Sequence, residues 1–409
     1  VNGKRQRGMT MIELLVAMAI GVITMLAISQ LLVASENHKR TTTSTNDVDQ
    51  TAVYTFNEID RALRAAGSGI AQSAYGTATG VLGCRLNMAS AGTTYMPRPG
   101  AYPPPFSTRF LGGATPAALQ VAPVLIGAGQ SDNSTSDVLV VMGGSGADGG
   151  VSRSLFGVGS LVSNVASLIL ASTVGFNNYD LILVSQNGMS DCLLEEVSGP
   201  PAAGILTLNP AVPYYTQAQG LLTTLIQSTT TAITPLGNVQ PTDSPSDLQF
   251  QMFGVSTNNT LYSYDLLQNQ NLVHLAGTGG DVAQAIADGV IQMNAIYGVA
   301  TANNPSVFDH WVSPSAAAGY DINTVMNSPT KQKLIIAVRV AIVVRGEYYD
   351  KSVVSPSSLT IFSGLLDGNG NSLQKTVSLT TTQDQQHYRY RVVEFTVPLR
   401  EMIVLAGGP

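Results

Sequence analysis

Charge is scarce in this sequence: Asp, Glu, Lys and Arg make up 11% of its 409 residues, against about 25% in an ordinary soluble domain. Wholesale disorder is still excluded, because 44% of the residues are hydrophobic and a chain of this length can bury a large core. The surface must therefore rest on hydroxyls and amides. No run of Lys or Arg occurs after the first few residues, and the net charge is −6. The phosphate contacts that dominate nucleic-acid binding have no source, so no nucleic-acid partner is expected. Cysteine is nearly absent. Cys84 and Cys192 show no CxxC or Cys/His spacing, which removes zinc-ribbon and thioredoxin-like readings. In an exported chain they could form one disulfide, the alternative being two separate buried thiols. His38, His274, His310 and His387 are scattered, and neither HExxH nor GxSxG occurs. No catalytic or metal-ligating set can be assembled, so neither an enzyme nor a cofactor is expected.

Two stretches imitate binding motifs and fail on context. Gly144, Gly146 and Gly149 fit GxGxxG after the strand-like DVLVVM. A dinucleotide site needs that loop to open a helix, with an acid about 20 residues on. VSRSLFGVGSLVS follows instead, and the next acid is Asp180, which leaves a glycine turn. Asp367, Asn369 and Asn371 resemble the start of a calcium loop, but Ser372 and Ser378 stand where Gly and Glu are required. A hairpin turn is expected. Trp311, the single tryptophan, is expected as a core anchor.

Proline is missing before Pro97, and charge is missing from 9–35 apart from Glu13. About 20 such residues suffice to cross a hydrocarbon core of about 30 Å as a helix. Lys4, Arg5 and Arg7 precede this span, so the basic end is expected in the cytoplasm and the bulk of the chain outside it, although Lys39 and Arg40 oppose the bias. A carboxylate within a membrane span is costly, so Glu13 either snorkels to the interface or has a partner. Beyond the span, Val48, Ala52, Phe56, Ile59, Leu63, Ala66 and Ile70 recur at helical spacing. Gly67 and Gly69 supply stop signals, and Gly21 is a weak point in the apolar half.

After Gly69 the pattern changes to short β-prone runs between Gly, Pro, Asn and Ser clusters. Strands are expected at 137–142, 180–186, 193–197, 248–255, 260–266, 334–344 and 388–397. Stretches 97–105 and 229–245 read as loops or linkers, and 281–297 as helix or strand. The expected fold class is α+β: a long N-terminal helix packed on an antiparallel sheet domain with large loop insertions. It divides into a leader (1–8), an apolar membrane helix (9–35), its amphipathic continuation (36–70) and an exported β-rich domain (71–409).

GMTMIELLVAMAIG, after a basic leader, resembles the type IV prepilin junction. That resemblance implies cleavage by a prepilin peptidase after Gly8, N-methylation of Met9, and a role in assembly for Glu13, whose partner would be the new Met9 amine of its own chain or a neighbour. DCLLEEV, ADGVIQMNAIYG, HWVSP followed by VRVAIVVRG, and the closing YRYRVVEFTVPLR resemble the PilW family of minor pilins. What the resemblance implies is a minor subunit that helps prime and assemble a type IV pilus, at or near its tip. Its partners would be other minor pilins, the major pilin and a PilY-type adhesin. It would sit in the inner membrane before assembly and on the cell surface afterwards. The alternative is a minor pseudopilin of a type II secretion system.

Overall fold

A computed structural model describes residues 9–73, 81–90, 93–113, 117–144, 152–216, 219–239, 248–267, 282–302, 304–379 and 383–406. One helix, Met11–Ala65, dominates the N-terminal part. It runs through Gly21 without interruption, since isolated Gly lowers helix stability without forcing a break. Hydroxyls along it bond the preceding turn: Thr24 donates to the Ile20 carbonyl at 3.0 Å and Ser29 to the Met25 carbonyl at 2.8 Å. Asp60 and Arg64 pair at 2.6 Å across one turn.

The helix buries one face of its second half, which follows the stripe read from the sequence and also takes in Ser44, Thr55 and Ala62. Val48, Ala52, Ile59, Leu63 and Ala66 are buried, while the Phe56 ring is half-buried and meets Phe395 edge-on at 4.6 Å. It stops at Ala65, earlier than the expected 70, because Gly67 and Gly69 adopt φ of 80° and 70°, a left-handed conformation that glycine tolerates best. Ile70–Ser73 then forms a separate short helix. The Gly67 amide donates to the Met142 carbonyl at 2.9 Å, joining the helix end to a sheet. A Cβ at Gly143 would collide with the Ala65 carbonyl, so this close approach requires glycine.

Two antiparallel sheets receive the docked half. The five-stranded sheet has the order Gln284–Asp288, Thr260–Asp265, Gln249–Val255, Val138–Gly143, Val124–Gly127. The four-stranded sheet has the order Asn304–Val312, Val290–Thr301, Ile335–Arg345, Tyr390–Pro398. These sheets and the helix stripe share one hydrophobic core. Buried Asp137 stitches the two sheets, its carboxylate accepting from the Gly129 and Ala295 amides at 2.9 Å each. A ribbon of Ser358–Ile361 and Lys375–Ser378 packs through Ile361 and Val377 against a smaller cluster that includes Ile296 and Val343.

The eight-stranded sheet lies in the middle of the chain. Its order is Thr93–Met96, Arg85–Ser90, Asp191–Glu196, Asp180–Gln186, Thr231–Asn238, Arg153–Val162, Val165–Leu170, Ile205–Leu208. Its far portion has a second core with helix Gln219–Ile226, through Leu222, Leu225 and Ile226. The pairing of Arg85–Ser90 with Asp191–Glu196 is parallel. Leu86 faces Cys192 there, and a disulfide joins Cys84 to Cys192 with Cα atoms 5.8 Å apart.

All seven expected strands are present, each within a few residues of its expected ends. The ambiguous 281–297 stretch holds strand Gln284–Asp288 and the start of strand Val290–Thr301, and no helix among its described residues. The linker reading of 229–245 is corrected: Thr231–Asn238 is a strand, with Pro235 at a register irregularity where a missing N–H is tolerated. Residues 240–247 lie outside the described residues. The GxGxxG turn is also largely outside them, but the next element is strand Arg153–Val162 rather than a helix. Asp367 closes its own turn, accepting from the Asn369 and Asn371 amides at 2.9 and 2.8 Å. Trp311 is not deeply buried: it is half-buried over Gly298, beside Phe308 at 5.1 Å.

Candidate functional site at the N-terminal helix

Thr10 is extended at φ −74°, ψ 150° and caps the helix. Its Oγ1 accepts from the Glu13 amide at 3.3 Å, while Glu13 Oε2 accepts from the Thr10 amide and hydroxyl, each at 3.0 Å. This reciprocal capping box satisfies two backbone donors that a helix start leaves over. In the sequence Glu13 stands out as the acid of an apolar span, while the signal for its partner Thr10 is T-x-x-E before an apolar run. Both Thr10 contacts fall on Oε2, so among the described residues Oε1 is left for another donor. A carboxylate at the first turn also meets the positive end of the helix dipole.

Met9 is 68% exposed, one residue before the cap. Gly8, the other half of the expected junction, lies outside the described residues. From Met11 to Val33 the large apolar side chains stay exposed, Leu14 at 50% and Met11 at 85% marking the range. An 18-residue window here has a mean hydropathy of 2.5 and none of it is buried, so the helix is long and apolar enough to cross a membrane.

The docked half holds the opposite character. Asp49 pairs with Arg391 at 2.8 Å on strand Tyr390–Pro398. Ser44 and Val48 approach Gly346 so closely that a Cβ there would lie 2.9 Å from Ser44 Oγ. Arg339 and Glu394 pair across strands at 2.8 Å, and Glu394 Oε1 accepts from the Phe362 amide at 2.7 Å, tying the ribbon to the docking sheet. Cys192 lies in the eight-stranded sheet and Cys84 immediately before its strand Arg85–Ser90, apart from the helix N-terminus. Among the described residues no group of three or more His, Cys, Asp or Glu side chains is placed to hold a metal ion.

No curated protein and no solved structure shows significant similarity to the chain. Two family models do match. Residues 3–29 match the prokaryotic N-terminal methylation motif, and residues 252–401 match the type IV pilus-assembly protein W family. The second match contains ADGVIQMNAIYG, HWVSP, VRVAIVVRG and YRYRVVEFTVPLR, while DCLLEEV falls outside it. It also contains the four-stranded sheet on which the helix docks. The chain is therefore a type IV pilus-related, pilin-like protein that carries both a PilW region and an N-terminal methylation motif.

Proposed function

We propose that the chain is a minor pilus subunit, cut by a prepilin peptidase between Gly8 and Met9, methylated at Met9, and inserted into a filament through 9–35. It helps prime assembly and sits at or near the tip, in contact with other minor pilins, the major pilin and a PilY-type adhesin. Before assembly it is a single-pass protein of the inner membrane with its N-terminus in the cytoplasm. It performs no catalysis of its own. The observation that carries this reading is the division of one continuous helix into a bare apolar half headed by Glu13 and a half docked on the PilW region. Capping by Thr10 occupies one carboxylate oxygen of Glu13, the fifth residue of the span, and the other is free of Thr10 for a contact made in assembly.

After cleavage the Met9 amine would lie within a turn of Glu13, where Oε1 is unused by Thr10. Pairing there, or with the amine of a neighbouring subunit, would neutralise a charge that a helix bundle cannot solvate. Glu13→Leu should be exported, cleaved and retained in membranes at normal levels, because the span is unchanged, yet be depleted from sheared filaments. Glu13→Gln should be intermediate. Incorporation of Glu13→Leu at the wild-type level would remove the acid from assembly. Recovery of the mature chain only with secretion-system components would favour a minor pseudopilin. Mass spectrometry should find N-methylated Met9 at the mature terminus, and Gly8→Val should block processing; an uncut mature chain would overturn the whole reading.

A further inference from the structure

The helix rises 1.5 Å per residue, so its apolar stretch extends about 37 Å, longer than a hydrocarbon core of about 30 Å and within the 40–45 Å that includes the headgroups. Val33 therefore stands near headgroup level when the span is centred. Residues 348–352 of an irregular segment, 346–357, extend from the globular domain towards this level, while Gly346 and Val354–Ser355 at its ends lie against Ser44, Thr45 and Val48 further along the helix. A groove of about 730 Å³ has Val33, Glu36 and Arg40 on the helix side and Tyr348, Tyr349 and Lys351 on the other.

This segment is held in place by its neighbours. The Asp350 amide donates to the His387 carbonyl at 2.8 Å, and Ser355 Oγ donates to the Tyr388 carbonyl at 2.6 Å. The Tyr349 ring stacks on His387 at 4.9 Å and meets Tyr388 edge-on at 5.6 Å. Hydrogen bonds from the Ser352 amide and hydroxyl hold the Asp350 carboxyl below its ordinary range. So fixed, the segment leaves Tyr348, Tyr349 and Val353 at 47%, 51% and 62% exposure. Glu36 pairs with Arg40 and Asp350 with Arg389, each at 3.4 Å, which leaves Lys39 and Lys351 to set against Glu347 in this zone. Tyrosine rings with a polar tip, an aliphatic residue and lysines suit the boundary between headgroups and acyl chains.

We propose that segment 346–357 is an interfacial foot. It rests on the lipid headgroups of the leaflet from which the helix emerges, with Tyr348, Tyr349 and Val353 in the boundary layer and Lys39 and Lys351 at the phosphates. The occupant is the bilayer because the surface is continuous with the span. The proposal depends on the helix being a membrane anchor, and the test separates the two.

The full chain, with its disulfide intact, is reconstituted in phosphatidylethanolamine–phosphatidylglycerol vesicles and spin-labelled at Val353→Cys or, separately, at Leu26→Cys. Collision with oxygen and with a water-soluble nickel chelate reports depth. The Leu26→Cys label should read hydrocarbon and the Val353→Cys label the headgroup boundary. Adding Tyr348→Ser and Tyr349→Ser should move the second label towards the aqueous value without moving the first. A buried Leu26→Cys label with a Val353→Cys label as accessible as free label in buffer would overturn the foot and spare the anchor. An aqueous Leu26→Cys label would overturn the anchor itself. Spin–spin broadening at Val353→Cys would assign this face to a second copy of the chain and overturn the foot, as would a Val353→Cys depth unmoved by the serine pair.

Discussion

Glu195 and Glu196 stand side by side on strand Asp191–Glu196, and both are fully buried. Glu195 accepts from the Thr216 amide at 3.1 Å, and Glu196 from the Tyr214 amide at 3.1 Å. Burial outweighs these bonds and pushes Glu195 up to about 8 and Glu196 up to about 7. Between the unfolded value of 4.5 and about 8 the folded chain holds a proton on Glu195 that the unfolded chain has lost. Stability therefore falls as pH rises through that window, by on the order of a few kcal/mol in total. Glu195→Gln keeps an acceptor for Thr216 and has no proton to lose. Thermal unfolding from pH 5 to pH 9 should show a smaller decline for Glu195→Gln than for the wild type, with the remainder due to Glu196; identical profiles would refute this. A second test uses the single tryptophan. A Cβ on Gly298 would sit 2.9 Å from the Trp311 ring and 3.0 Å from Ala337, so Gly298→Val must push the indole outward. Its fluorescence should shift to longer wavelength, and an unchanged spectrum would show that the sheet absorbs the side chain elsewhere.

The helix is one element with two environments, and substitutions should divide accordingly. Leu63→Ala opens a fully buried position and should cost about 2 to 5 kcal/mol. Val53→Ala, on the 58% exposed opposite face, should change stability by no more than about 0.5 kcal/mol. Urea unfolding of both variants in the same detergent measures the difference, and equal losses would mean that the helix is not docked as described. The periodicity of Val48, Ala52, Ile59 and Leu63 made this face legible in the sequence because an amphipathic helix must turn that stripe to the core. Runs such as IIAVRVAIVVR were legible as strands for their β-branched content. Other strands were hidden for identifiable reasons. Val124–Gly127 and Ile205–Leu208 are only four residues long, too short for alternation to register. Arg153–Val162 is broken by Gly157 and Gly159, and a Cβ at Gly159 would lie 2.6 Å from the Ser167 carbonyl, so that glycine is a packing demand that resembles a loop signal. At the candidate site, Glu13 was visible as a misplaced charge, whereas its capping partnership with Thr10 was hidden because the T-x-x-E signal overlaps the start of the apolar span.

In the whole molecule, the disulfide spans a sequence separation of 108 and fastens the start of the β-domain to the strand that carries Glu195 and Glu196. Closing so long a loop contributes roughly 4 to 5 kcal/mol in the chain-entropy model. Cys84→Ser with Cys192→Ser should lower unfolding stability by up to that amount, and thiol labelling of the exported wild type should find no free thiol; two labelled thiols would refute the bridge. The pairing itself was open in the sequence, since spacing alone cannot distinguish one bridge from two buried thiols, and only the parallel register of Leu86 against Cys192 brings the sulfurs together. The docked stripe has a mechanical consequence as well. Tension applied to the N-terminal half of the helix reaches the domain through Val48, Ala52, Ile59 and Leu63 packed in the core, with Asp49 held by Arg391. Those contacts lie one after another along the helix and must slide together rather than peel apart singly. The helix is thus a handle loaded in shear, the direction in which a row of modest contacts resists best.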